Sequence, residues 1–186
     1  MIAISLLKKL EKNSNISVIA KNFEKYITFK IDNLQFIDSF QFMSSSLDRL
    51  VSNLPKDKFI YTDLEFKDLQ PFQLELLKKK GVYPYSYMDS FNRFEETRLP
   101  DKKEFFNDLN NTKISDSEYS HAQKVWDAFK IKNLGEYHDL YLKTDVLLLA
   151  DVFENFRDEC LKSNGLDPAH YFTTPGLSWD AALKKK

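Results

Sequence analysis

Tyr137-His-Asp-Leu-Tyr141-Leu-Lys143-Thr-Asp145-Val-Leu-Leu-Leu-Ala-Asp151-Val-Phe-Glu-Asn-Phe156 is the stretch that decides the reading, because it has the pattern of one long helix. With each residue advancing about 100° around the axis, Tyr141, Asp145, Leu148, Leu149, Val152 and Phe156 share one side. Asp145 therefore falls on the apolar face, whereas Asp139, Asp151 and Glu154 project toward the more polar side. A carboxylate among Leu, Val and Phe loses its hydration on burial and needs a donor, a cation or a raised pKa. Two accounts of Asp145 stand open: a buried Asp paired with a lysine or a backbone amide, or a metal ligand.

The chain has 186 residues, 42% of them hydrophobic and sixteen of them Phe, enough for one domain with a real core. A single Cys160 excludes an internal disulfide and a Cys-rich zinc site. His121, His138 and His170 are scattered without metal-ligand spacing. Twenty-seven basic against twenty-eight acidic side chains leave no chain-wide electrostatic footprint for nucleic acid, although local patches stay open. The apolar run in Met1-Ile-Ala-Ile-Ser-Leu-Leu-Lys-Lys-Leu10 is too short for a membrane span and reads as a helix, so no membrane partner is expected.

Ile16 to Ala20 reads as a short strand. In Tyr26 to Ile31, the apolar Ile27, Phe29 and Ile31 alternate with Thr28 and Lys30, and Asp32-Asn33 tolerates the positive φ of a tight turn before a returning strand at Leu34 to Asp38. Ser44-Ser-Ser46 caps a short helix with Leu47, Leu50, Val51 and Leu54, which Pro55 stops. Thr62-Asp-Leu-Glu65 has capping-box spacing. Pro71 to Lys80 reads as a helix with Phe72, Leu76 and Leu77 on one face and Gly81 as its stop.

Tyr83-Pro-Tyr85-Ser-Tyr87 is an aromatic loop, and Met88 to Pro100 shows no period. Asp101 to Leu109 suggests a weak helix. Ser115-Asp-Ser-Glu118 is a capping box for a stronger one bearing Tyr119, Ala122, Val125, Trp126 and Phe129. Asn133-Leu-Gly-Glu136 repeats that spacing before the long helix, whose end is marked by Asn164-Gly165 and Pro168. Thr173-Thr-Pro-Gly176 reads as a turn and Ser178 as the cap of a last helix. These elements make an α+β fold, a short β-hairpin or sheet followed by several helices.

Tyr141 and Asp145 form Y-x-x-x-D, one helical turn apart and on one face. That spacing is common by chance and fits a core hydrogen bond as well as a nuclease site. The surrounding text is more specific. Tyr137 to Phe156, Gly165-Leu-Asp-Pro-Ala-His-Tyr171, Pro175-Gly-Leu-Ser-Trp-Asp180, Lys80-Gly-Val-Tyr-Pro-Tyr85, Met88-Asp-Ser90 and Phe36-Ile-Asp-Ser39 together closely resemble the protein-primed family B DNA polymerases of organellar, viral and Maverick/Polinton type. The resemblance covers nearly the whole chain, with its segments in order.

The resemblance implies a partial RNase H-like (DnaQ-like) 3′-5′ exonuclease domain over residues 1–165 and the start of a connection to a polymerase domain over 166–186. Tyr141 and Asp145 match the family's third exonuclease motif, which makes Asp145 a metal ligand and Tyr141 the residue that positions water or the scissile phosphate. Lys80 matches a lysine near the cleaved phosphate; a solvated helix-end lysine is the plain alternative. Ser39-Phe40 resembles the Ser/Thr-Leu motif that contacts single-stranded primer DNA, with Phe in place of Leu, and a turn-capping hydroxyl is the plain alternative for Ser39.

The sequence offers no D-x-E on an opening strand and no N-x-x-Y-D, the first two exonuclease motifs that the family places ahead of this region, and the palm motifs are missing as well. The expectation is a fragment of a DNA-directed DNA polymerase. Mg²⁺ or Mn²⁺ would serve the complete enzyme, but one Asp is not enough to hold two hard cations that each need several oxygen ligands. The chain alone is expected to have little or no exonuclease activity and no polymerase activity. Its implied partners are a single-stranded primer terminus and the remainder of the polymerase. A second reading is a degenerate mobile-element or viral remnant that binds single strands or another partner without catalysis, through Ser39, Lys80 and Tyr83, Tyr85 and Tyr87. A third is a host interaction domain without nucleic-acid function. Nuclear, organellar and viral replication sites are all compatible with the sequence.

Overall fold

The computed structural model describes residues 15–20, 22, 26–108 and 111–185. The helix expected over Met1 to Leu10 lies outside them, as does Leu109. The fold is mixed α+β, with one three-stranded antiparallel sheet and six α-helices among the described residues. It divides into two compact units, one drawn from Met1–Ser44 and Phe156–Lys186 and the other from Ser45–Asn155.

The first unit carries the sheet, ordered β1 (Ile16–Ala20), β2 (Tyr26–Ile31) and β3 (Leu34–Ile37). Asp32 turns the hairpin at φ 50°, and Ile31 pairs with Leu34 across it. Phe29 lies opposite Phe36, and their rings stack at 4.3 Å. The alternation of β2 is not a plain apolar-in, polar-out pattern: Thr28 is buried as Ile31 is, and its hydroxyl donates to Phe36 O at 2.6 Å. That bond satisfies the hydroxyl without water, which is what permits the burial.

The second unit holds α1 (Leu47–Ser52), α2 (Ile60–Glu65), α3 (Pro71–Leu77), α4 (Asp116–Ala128) and most of α5 (Leu134–Asn164). Ser46 caps α1 by accepting from Arg49 N. The Ser115–Glu118 capping box opens α4 with both reciprocal bonds made. Asn133 Oδ1 accepts from Glu136 N at the start of α5. At its end Gly165 adopts φ 62° while its N–H reaches Leu161 O at 2.8 Å, a helix stop that a residue with a Cβ would resist. Phe105, Ala122, Val125, Ile131, Leu134 and Tyr137 form the main core cluster.

Several expectations fail locally, among them the helix over Asp101 to Leu109, of which only a 3₁₀ turn at Lys102–Phe105 forms among the described residues. Thr62 does not open α2 but is its third residue, and the Phe59 cap has no side-chain bond. α3 ends at Leu77 with Lys78 as its cap, and Phe72 on it is exposed; seven residues are too few to extend its apolar face to Gly81. α6 (Thr174–Lys184) starts four residues before Ser178, because the fixed φ of Pro175 suits a first helical turn.

The phase of α5 also differs from its periodicity. The buried side is centred on Leu148, which is 0% exposed, and includes Tyr137, Thr144, Asp151 and Val152. Leu149 is exposed instead. Asp145 and Asp151 stand on opposite flanks, each about 60° from Leu148 at 100° per residue. Asp151, assigned to the polar side, is the carboxylate fully buried at 1% exposure, whereas the Asp145 side chain retains 28%. The apolar run Val146 to Ala150 has no internal alternation and so carries no phase.

Candidate site at Lys80, Tyr141 and Asp145

The segment after α3 is irregular, and α5 fastens it down rung by rung. The Tyr137 hydroxyl donates to Val82 O at 2.7 Å. Tyr83 OH pairs with His138 Nδ1 at 2.7 Å, and Tyr85 OH with Tyr141 OH at 2.6 Å. Tyr137, His138 and Tyr141 are near one side of the helix, so a chain running along that side meets each in turn. The ring of Tyr83 stacks on Tyr141 at 4.8 Å.

This fastening sets Lys80 against α5. Its ammonium donates to Tyr141 OH at 3.0 Å and to Asp145 Oδ1 at 3.2 Å. The three residues singled out along Lys80 and the Y-x-x-x-D spacing, 61 and 65 positions apart in sequence, thus converge within hydrogen-bond reach. Lys80 is about as covered as Asp145, with 26% and 28% of the side chains exposed. The pair is therefore only partly desolvated and of modest stability value.

Gly81, read as a helix stop, serves another purpose. A Cβ there would stand 3.2 Å from Tyr141 Cδ2, so the missing side chain lets the backbone beside Lys80 approach the ring. The sequence marks Tyr85 for its aromatic face and not as the partner of the Tyr141 hydroxyl. No spacing in the sequence signals either contact, because both depend on how the irregular segment lies along α5.

Burial above all pushes the Tyr83 hydroxyl up to about 12. Burial likewise raises Tyr141, Tyr85 and Tyr137. At Tyr141 the Tyr85 hydrogen bond lowers the pKa and the Asp145 carboxylate raises it. The tyrosine cluster is therefore protonated at neutral pH, and the fixed charges facing one another are Lys80 and Asp145. Lys80 and Tyr141 also line an open cleft of about 250 Å³ with Lys79, Tyr83, Tyr85 and Asn107.

A cation such as Mg²⁺ needs near-octahedral oxygen ligands. Here Asp145 has an ammonium on one oxygen, and among the described residues no group of three or more His, Cys, Asp or Glu could hold a metal ion. The described residues do not fit such an ion. Ser39 and Phe40 belong to the first unit, where they begin a 3₁₀ turn at Ser39–Gln41. Asp38, not Ser39, caps that turn by accepting from Phe40 N at 3.0 Å. Phe40 is exposed.

No family model, no curated protein and no solved structure matches the chain. No helix among the described residues is long and apolar enough to cross a membrane.

Proposed function

We propose that this chain is the third-motif part of a 3′-5′ proofreading exonuclease domain of the protein-primed family B DNA polymerase type, RNase H-like in ancestry. In this reading it presents a strand-end site to single-stranded DNA, and the polymerase remainder is its structural partner. The observation that carries the reading is the convergence of Lys80, Tyr141 and Asp145, because the resemblance selects these same three residues. Lys80 supplies a positive charge for a phosphate oxygen, and the Tyr141 hydroxyl supplies a neutral donor or acceptor beside it. Asp145 holds the ammonium in place. Cleavage and polymerisation belong to the parent family.

Binding of a fluorescent single strand with a free 3′ hydroxyl tests the strand-end site. Anisotropy should show binding that weakens with added salt and falls about tenfold in Lys80→Ala, as expected when one charge-assisted contact is removed. Equal binding by Lys80→Ala would remove the site from the proposal.

The second reading, a non-catalytic single-strand-binding or interaction module, has one observation in its favour. Tyr85 is 54% exposed at the cleft, so its ring can receive a base, whereas Tyr83 is occupied by stacking on Tyr141. A module of that kind binds closed circles as well as free ends and weakens in Tyr85→Ala. A preference for free 3′ ends favours the proofreading ancestry instead.

A further inference from the structure

A second, smaller cavity adjoins the candidate site and shares Lys79, Gly81 and Tyr141 with the cleft. It leaves about 30 Å³ for the centre of a water-sized molecule, and Leu76, Leu77, Val125 and Leu140 supply much of its wall. Two polar atoms interrupt that apolar lining. Thr144 Oγ1 and His121 Nε2 are both buried, and neither has a hydrogen-bond partner. Thr144 as a whole is only 6% exposed.

A helical threonine ordinarily satisfies its hydroxyl on the carbonyl of the preceding turn. Thr144 makes no such bond, which leaves its hydroxyl to the cavity it lines. A buried hydroxyl and a buried ring nitrogen without partners are each costly, and here the two costs meet in one small space. We propose that this cavity is a binding site for one internal water molecule, held between Thr144 Oγ1 and His121 Nε2.

Size and chemistry agree on that occupant. A water needs about 10–15 Å³ of space for its centre, less than the cavity leaves, and about two polar partners to stay in an interior. The two orphaned atoms are that minimum, and the other polar side chains of the wall include Lys79 and Tyr141 where it meets the cleft. Water also suits either form of the histidine, since it can donate to a bare ring nitrogen or accept from a protonated one while completing the threonine hydroxyl. Thr144 is followed directly by Asp145 and shares the cavity wall with Tyr141, so the water backs the helix face that carries both. This inference stands whether or not the strand-end reading holds.

Crystallography of the whole chain at a resolution that shows ordered solvent is the test, with Thr144→Val and Thr144→Ser beside the wild type. The expected result is a water within hydrogen-bond distance of Thr144 Oγ1 and His121 Nε2, retained in Thr144→Ser and lost in Thr144→Val. A dry cavity in the wild type overturns the proposal, and so does the same water persisting in Thr144→Val. If the valine variant does not fold, the wild-type density decides the question alone.

Discussion

Asp151 Oδ2 accepts a hydrogen bond from Thr62 Oγ1 at 2.6 Å, between two residues 89 positions apart that are 1% and 0% exposed. The same carboxylate accepts from Tyr61 N at 2.7 Å and Thr62 N at 3.2 Å. Those are N–H groups of the first turn of α2, a helix without a side-chain cap of its own. Asp151 supplies the cap from α5, where its negative charge also suits the positive end of the helix. Asp151→Ala should lower stability by about 3 kcal/mol, since it strands buried donors, and Thr62→Val by about 1–2 kcal/mol. Urea denaturation of both variants measures this. A midpoint in Asp151→Ala equal to that of the wild type would count against the cap.

The tyrosine cluster predicts an alkaline limit. Tyr83 is raised from 10.0 to about 12, first by burial and then by Tyr85. Its stabilising contribution is therefore fully present below pH 10 and is lost as pH rises through about 12. Tyrosinate absorbance during a pH titration should show a late step in the wild type that shrinks in Tyr83→Phe. An unchanged titration in that variant speaks against the buried stack.

His121 predicts an acid-side loss. Burial, then Lys79 and Lys124, push its pKa below the ordinary 6.5, so the folded protein binds its proton more weakly than the unfolded chain does. Its contribution is fully present above pH 6.5 and declines as pH falls below that value toward the folded pKa. Glu96 and Glu118 are lowered from 4.5, so their losses begin at lower pH. Denaturation midpoints measured between about pH 7 and pH 5 should fall in the wild type and fall less in His121→Gln. Identical slopes would place the pH dependence elsewhere.

Local chemistry made much of the fold readable. The β2–β3 hairpin follows from strand alternation and a residue that accepts positive φ, and the start of α4 and both ends of α5 follow from caps that use neighbouring residues. What escaped depends on contacts distant in sequence. Thr62 looked like an N-cap because its true capping group, Asp151, comes from another helix. Asp151 looked polar-facing because five apolar residues blur the phase of α5, and Asp145 looked more deeply buried than it is. At the candidate site, Lys80, Tyr141 and Asp145 were named by resemblance to a family. Their meeting depends on Val82, Tyr83 and Tyr85 being fastened along α5, which no spacing announces.

The strand-end site proposed for Lys80, Tyr141 and Asp145 includes no working nuclease centre in this chain. Incubation of the purified chain with Mg²⁺ and a single strand labelled at its 5′ end tests it most directly, with products separated by length. Full-length DNA is expected for the wild type and for Asp145→Ala alike. Progressive Mg²⁺-dependent shortening by the wild type that Asp145→Ala abolishes would contradict it.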